Sequence, residues 1–344
     1  MRYNRTMTSL PFHEPRLEDA APLRRITASC GARGSDLAWA NVYLLRAKYN
    51  TRIAIDEGFL YRRYDGRTRL QGYTFPLSLE PSPDEGALRL ALARVEQDAE
   101  DNGRELSFCL LTAEQKELLD AMMPGRFLYS WKESDCDYLY RRSDLAELPG
   151  TAYHAKRNHI SRFLREHAEI SFEELRDDNR EDFAEPAHAW LATGQQTAGQ
   201  PAEGLLHEQR AIACALEGYR ELGLRGVLLR VDGRPAAMAL AGFISPTVAD
   251  IHYEKCHPDY RGAYALINRE MARRLPEAEL INREEDLGEP GLRQAKQSYH
   301  PCERLVKWSA YPASGAGSAS PSNGASPDLG EEDASASGGD TTDA

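Results

Sequence analysis

No two of the chain's six cysteines form a CxxC pair. Cys30, Cys109, Cys136, Cys214, Cys256 and Cys302 are scattered through 344 residues. That spacing excludes a zinc ribbon or a thioredoxin-type redox pair, and it reads as free thiols of a cytoplasmic protein. No run of about 18 apolar residues occurs, so no membrane-spanning helix is expected. Residues 1–15 mix Arg, Asn, Thr, His and Glu without an apolar centre and do not read as a secretory signal. A Walker phosphate loop, a nucleophile elbow and a zinc signature are all missing. Residues 311–344 lack Lys and Arg but hold Asp328, Glu331, Glu332, Asp333, Asp340 and Asp343. This Ser, Gly, Ala and Pro stretch can bury too little apolar surface to offset chain entropy, so a disordered acidic tail is predicted.

The net charge is −12, and the first 310 residues carry 42 Lys and Arg against 48 Asp and Glu. The length suggests two domains, and 41% hydrophobic residues suffice for two cores. The expected division is 1–150 and 151–310, with the tail from 311.

Turn signals organise each half. Glu57-Gly58 separates strands 51–56 and 59–64, and Asp65-Gly66 leads towards a third strand over 70–75. A helix from Asp84 to Asn102 stops at Gly103, strand 106–111 follows, and Thr112 caps a further helix. The second half repeats the order. A helix over 205–222 precedes strands 226–231 and 236–241 around Asp232-Gly233, then strand 248–256. Helix 261–275, strand 279–282 and a helix from Pro290 complete it. Both halves read β-β-β-α-β-α, a mixed α/β pattern, without a residue-level repeat.

Leu280 to Pro301 carries the densest chemistry. An apolar strand end leads into the acids Glu284, Glu285 and Asp286, then a turn, then a helix that Pro290 can start. Arg293, Lys296 and His300 share one helical face with spacings of three and four. Between the halves, Tyr153 to His167 reads as a helix with Ile160, Phe163 and Leu164 on its apolar side. Its Lys156, Arg157, Arg162 and Arg165 make it an anion-binding candidate in an acidic chain. In strand 248–256, alternation puts Asp250, His252 and Glu254 on one face.

Four blocks together resemble one family: His154-Ala-Lys-Arg-Asn-His159; Ile251-His-Tyr-Glu-Lys255 with Tyr260-Arg-Gly-Ala-Tyr264; Ile281-Asn-Arg-Glu-Glu-Asp-Leu-Gly288; and Gly291-Leu-Arg-Gln-Ala-Lys-Gln-Ser-Tyr-His-Pro301. They are similar to the soluble bacterial proteins grouped with the phosphatidylglycerol lysyltransferase C-terminal domain. The resemblance covers residues 20–308. It implies two tandem GNAT-like acyltransferase domains and kinship with Fem-type aminoacyltransferases, which use aminoacyl-tRNA. Membrane members carry a many-helix portion before this region. Its absence here leaves a lipid acceptor without support.

The resemblance also implies roles. Glu254 is the candidate base, with His252 as second choice, and Tyr299 is the acid for the leaving group. Lys156, Arg157, Asn158, Arg283, Arg293 and Lys296 are candidate contacts for the donor. Glu284, Glu285 and Asp286 would hold an α-ammonium or pair with those cations. Arg261 and Gly262 occupy the place of the loop that cradles the CoA pyrophosphate in GNAT enzymes. Tyr264 stands where that loop has a further Gly, which disfavours CoA and leans towards another acyl donor, with aminoacyl-tRNA and acyl-CoA as the candidate donors. No metal is expected, because no His or Cys accompanies the acids at ligand spacing. The expected function is cytoplasmic aminoacyl or acyl transfer to a small-molecule or peptide amine. A CoA-dependent N-acetyltransferase and a non-catalytic ligand sensor are the alternatives.

Overall fold

Three short helices, α1 (Ala20–Ser29), α2 (Trp39–Leu44) and α3 (Arg46–Tyr49), lead into the hairpin of β1 (Thr51–Asp56) and β2 (Phe59–Tyr64). The hairpin turns at Glu57 and Gly58, whose φ values of 47° and 80° make the paired left-handed turn that matches strand twist. Then come β3 (Gly72–Tyr73), β4 (Leu77–Ser78), α4 (Glu85–Asp101), β5 (Phe108–Leu111), α5 (Ala113–Met122) and β6 (Phe127–Trp131). The side chain of Asp84 accepts from Ala87 N to start α4, and a Thr112–Gln115 capping box starts α5. The computed structural model describes residues 9–66, 70–196, 202–260 and 262–313.

Next are β7 (Asp137–Arg141), α6 (Arg142–Glu147), α7 (His154–Glu166), β8 (Ile170–Glu174), α8 (Arg180–Gln196) and α9 (Ala202–Glu217). The second meander is β9 (Arg225–Val231), β10 (Arg234–Ser245) and β11 (Val248–Cys256). It is followed by α10 (Ala263–Arg273), β12 (Leu280–Asn282), α11 (Pro290–Gln297), β13 (Glu303–Leu305) and β14 (Trp308–Pro312). The third strand of the first meander shrinks to Gly72 and Tyr73, where the expectation was six residues. The helix expected over 205–222 starts at Ala202 and ends at Glu217.

The strands form two sheets. The first runs β1-β2-β3-β5-β14-β6, with β4 on β2, and the second runs β13-β7-β12-β11-β10-β9-β8. In both, a meander is followed by a parallel step, β3 to β5 and β11 to β12. An antiparallel strand from the other half then completes the order. Strand β14 sits between β5 and β6, and β7 sits between β12 and β13. The halves have exchanged their last strands. The sheets therefore do not divide at residue 150, and residues 311–312 belong to the first sheet. The rest of the expected acidic tail, from residue 314, lies outside the described residues.

A buried ion pair pins the exchange. Lys307, just before β14, donates to Asp137 Oδ1 of β7 at 2.6 Å. Ser35 N and Asn282 Nδ2 both donate to Asp137 Oδ2, each at 2.8 Å. Asp137 is fully buried, and its four partnered contacts supply what a carboxylate needs away from water. One core lies under α6, α7 and α10 on one face of the second sheet. Another is shared by the halves, joining Leu23, Ile53 and Leu60 to Leu228, Met238 and Leu240. A third fills the first sheet around Phe108, Phe127 and Val95.

Candidate functional site

Strand β11 does not keep its alternation. It pairs Ile251 with Ala241 and Tyr253 with Leu240, consecutive partners for residues two apart, so His252 is the extra residue of a β-bulge. A bulge moves every later side chain to the opposite face. Ile251 and Cys256 join the core beneath α10, whereas Tyr253 packs against the core shared by the halves. The expectation of one polar face is corrected here. Asp250 and His252 look towards α2, and Glu254 looks towards α10.

Beneath α10, Glu254 accepts from Arg283 at 2.5 Å and from Asn268 Nδ2 at 2.8 Å. The guanidinium of Arg283 lies 4.9 Å from the Tyr299 ring centre, and Lys156 Nζ lies 4.1 Å from it. Lys156 also donates to Ser298 Oγ at 2.7 Å. Burial, then the charge of Arg283, lowers the Lys156 pKa. Tyr299 is pushed up to about 12 by burial, so it keeps its proton at neutral pH. Each carboxylate oxygen of Glu254 holds one donor, and the group is an ion-pair partner of Arg283.

On the other face, Asn41 of α2 is the hub. Its Nδ2 donates to Glu284 Oε1 at 2.8 Å and reaches Asp250 Oδ2 and Ser35 O at 3.0 Å. Its Oδ1 lies 3.1 Å from His252 Nδ1. Burial drives His252 down to about 3, so the imidazole is neutral. Burial, then the charge of Glu284, raises Asp250 well above the carboxylate range. Glu284 is pushed up to about 7 by burial and then by Glu285. These groups back a cavity of about 90 Å³ between the halves. Asp36, Asp135, Glu284, Glu285 and Lys307 line it, with Tyr49 and Tyr64 on its apolar side.

The acidic loop is built to present Glu284. That residue takes a left-handed backbone, φ 56°, and its N–H donates to Asn282 Oδ1 at 2.7 Å. Buried Lys296 donates to the carbonyls of Arg283, Glu284 and Glu285, at 2.5, 3.1 and 2.5 Å. Asp286 points away. It accepts from Tyr138 Oη at 2.7 Å and from Arg293 Nε at 2.7 Å. Burial opposes its ionisation, but Arg293, Tyr138 and Gly288 N outweigh that and hold Asp286 at about 2.

The basic residues do not converge as expected. Arg157 donates to the carbonyls of Leu148 and Gly150, Arg293 serves Asp286 and Glu133, and Lys296 ties the loop. Asn158 is exposed and lies 3.3 Å from His154 Nδ1. The five groups expected in one pocket split between two faces: Glu254 and Tyr299 on one, His252, Glu284 and Glu285 on the other. Gly262, φ 97°, precedes α10, and Arg261 lies outside the described residues. The sequence reading passed over Ser35, Asp36, Asn41, Asp137 and Lys307. Each sits in an unremarkable local stretch, and only the strand exchange brings them to β11 and β12.

The family described as phosphatidylglycerol lysyltransferase, C-terminal, matches residues 27–311. The chain belongs to this family. A conserved protein of unknown function from Bacteroides thetaiotaomicron is 31% identical, with a TM-score of 0.81 over 88% of this chain and 99% of that one. The C-terminal domain of a putative lysylphosphatidylglycerol synthetase from Agrobacterium fabrum is 15% identical, with a TM-score of 0.59, over 85% of this chain and 92% of that one. L-PGS from Bacillus licheniformis is 15% identical, with a TM-score of 0.57, over 87% and 92%. No curated protein matches the chain. The fold is that of two tandem GNAT-like halves, and family and fold point to an acyl- or aminoacyl-transferase of this type. Among the described residues no helix is long and apolar enough to cross a membrane.

Proposed function

We propose that the chain transfers an aminoacyl group, and that the cavity between its halves receives the α-ammonium of the donor. The observation that carries this reading is the charge of the lining. Four carboxylates, Asp36, Asp135, Glu284 and Glu285, line the cavity, with Lys307 as the one lining cation among the described residues, and of the four Asp36 is itself paired with buried Arg62. Lys307 is itself bound to Asp137. A concave, largely desolvated site with that excess selects a cation. An aminoacyl ester, with tRNA as its carrier, supplies an ammonium; acetyl-CoA does not. Tyr264 beside the α10 N-terminus adds to the case against CoA.

The test is calorimetric. An amino-acid amide with a free α-ammonium should bind, and its N-acetylated form should not. Glu285→Gln should weaken the amide about 10- to 100-fold, the weight of a hydrogen bond to a charged group. Binding of CoA, or equal binding of both amides, would reject the reading.

One observation favours a second reading. Because Arg283 closes Glu254, the expected base is not available beneath α10. A sensor that binds the ammonium without turnover fits that closure. Incubation with charged tRNA and an amine acceptor separates the two, since a sensor leaves the aminoacyl ester intact.

A further inference from the structure

Asp250 and His252, neither of which lines the cavity, meet Glu284, which does. One ligand atom from each lies within 4.8 Å of the others. Their hydrogen bonding does not balance. The amide Nδ2 of Asn41 has two hydrogens but three acceptors within reach: Ser35 O, Asp250 Oδ2 and Glu284 Oε1. Asp250 Oδ1 has no hydrogen-bond partner although the side chain is fully buried. His252 Nε2, also buried, has none either. A buried carboxylate oxygen without a donor costs free energy, so the cluster is short of positive charge. Among the described residues, no Lys or Arg forms a salt bridge to Asp250 or Glu284. The nearby cations are committed, Lys307 to Asp137 and Lys296 to three carbonyls.

The Asn41 side-chain amide fills the space among the three groups, its Nδ2 against the two carboxylates and its Oδ1 against His252 Nδ1. His252 Nδ1 and Asp250 Oδ2 are 3.3 Å apart, the separation of neighbouring ligands on an ion with bonds of about 2.0–2.2 Å. Asn41 Nδ2 sits between the two carboxylates at 3.0 and 2.8 Å. An ion in its place has bonds shorter by roughly 0.7–0.9 Å, which draws the three side chains inward from their present 4.8 Å limit. With Nδ1 as a ligand the imidazole proton sits on Nε2, a buried position without an acceptor among the described residues, so the ion must outweigh that donor's cost.

We infer that Asp250, His252 and Glu284 form a binding site for a first-row divalent cation, with Asn41 turning aside or offering its carbonyl oxygen as a fourth ligand. One imidazole and two carboxylates suit Mn, Fe(II), Co or Zn, whereas Ca and Mg prefer oxygen alone. The ligands come from β11 and from the loop after β12, and Asn41 comes from the first half, so the ion would sit behind the cavity wall. Glu285 and Asp36 would still face the cavity. The inference takes Glu284 out of the ammonium site and leaves Asp36, Asp135 and Glu285 to it, and it is tested without a donor or acceptor.

The experiment is a Co2+ titration of the full chain after chelator treatment, followed by visible absorption. Metal analysis after gel filtration then measures Co2+ and Zn2+ retained. One ion per chain is expected, with a nitrogen and oxygen ligand field and no thiolate charge-transfer band. Losing even an outer-shell partner costs about 10–100-fold in metal affinity, so Asp250→Asn and His252→Ala should each cost at least that. The control His257→Ala, at a half-buried histidine beside exposed Asp259, should bind as the parent does. Circular dichroism checks each fold, and if His252→Ala does not fold, Asp250→Asn alone decides. Failure to retain metal, a thiolate band, or binding untouched by Asp250→Asn would overturn the site. A proton shared by Asp250 and Glu284 would then explain the cluster.

Discussion

Arg283 holds together the polar cluster beneath α10. It pairs with Glu254 at 2.5 Å and stacks near Tyr140 and Tyr299 at 5.7 and 4.9 Å. Neither partner of the ion pair is well exposed, with side-chain exposures of 14% for Arg283 and 9% for Glu254. Removing one member of a buried pair leaves the other charged and dry. Arg283→Ala is therefore expected to destabilise the chain by about 3–5 kcal/mol. The double variant Arg283→Met with Glu254→Gln should lose much less. Urea unfolding decides the matter: a lower midpoint at unchanged slope reports the loss, and equal midpoints for Arg283→Ala and parent would contradict it. At this scale the sequence was informative about which residues are polar partners and silent about direction. Lys296 and Arg293 have the spacing of an anion-binding face, yet their chain lengths and the left-handed turn at Glu284 send them inward to carbonyls and to Asp286.

Strands and turns were the most legible elements. Glu57-Gly58 and Asp232-Gly233 turn as read, because both need left-handed backbone and Gly supplies it. The bulge at His252 was not legible, since Asp250, His252 and Glu254 alternate without a break in the sequence. Packing density sets two expectations here. A Cβ on Gly226 of β9 would lie 2.8 Å from Leu175 Cβ and from Phe183 Cε1, and 2.9 Å from Leu240 Cδ2. Gly226→Ala should cost about 1–3 kcal/mol by overpacking, read as a lowered thermal midpoint. Next to it, Glu173 of β8 accepts from Arg230 of β9 at 2.6 Å. Arg230, then Asn179, holds the Glu173 carboxyl below its ordinary range. A depressed folded pKa gives stability that is present above the unfolded carboxylate value of about 4.3 and is lost as pH falls through the folded one. Glu173→Gln should flatten that acid limb in denaturation curves taken across pH, and an unchanged limb would contradict the assignment.

At the scale of the molecule, element order gave two alike halves, and both sheets run from a meander through a parallel strand to an exchanged strand, although β8 extends the second and β4 pairs β2 in the first. The reciprocal exchange of β7 and β14 was hidden, because neither strand was read from the sequence and the neighbours of each are more than a hundred residues away. Since the halves also share a core, they should unfold together. Calorimetry is expected to give one transition whose calorimetric and van't Hoff enthalpies agree, and two resolved transitions would count against the shared core. The exchange also bears on synthesis. The first sheet has a gap between β5 and β6 that only residues 308–312 can fill. As the chain emerges from the ribosome, its leading half must wait, edges unpaired, until nearly the last described residue has been made. Helices α4 and α5 can dock meanwhile, but the sheet beneath them closes only once residues 308–312 have emerged, and during that interval it is exposed to chaperones and to other nascent chains.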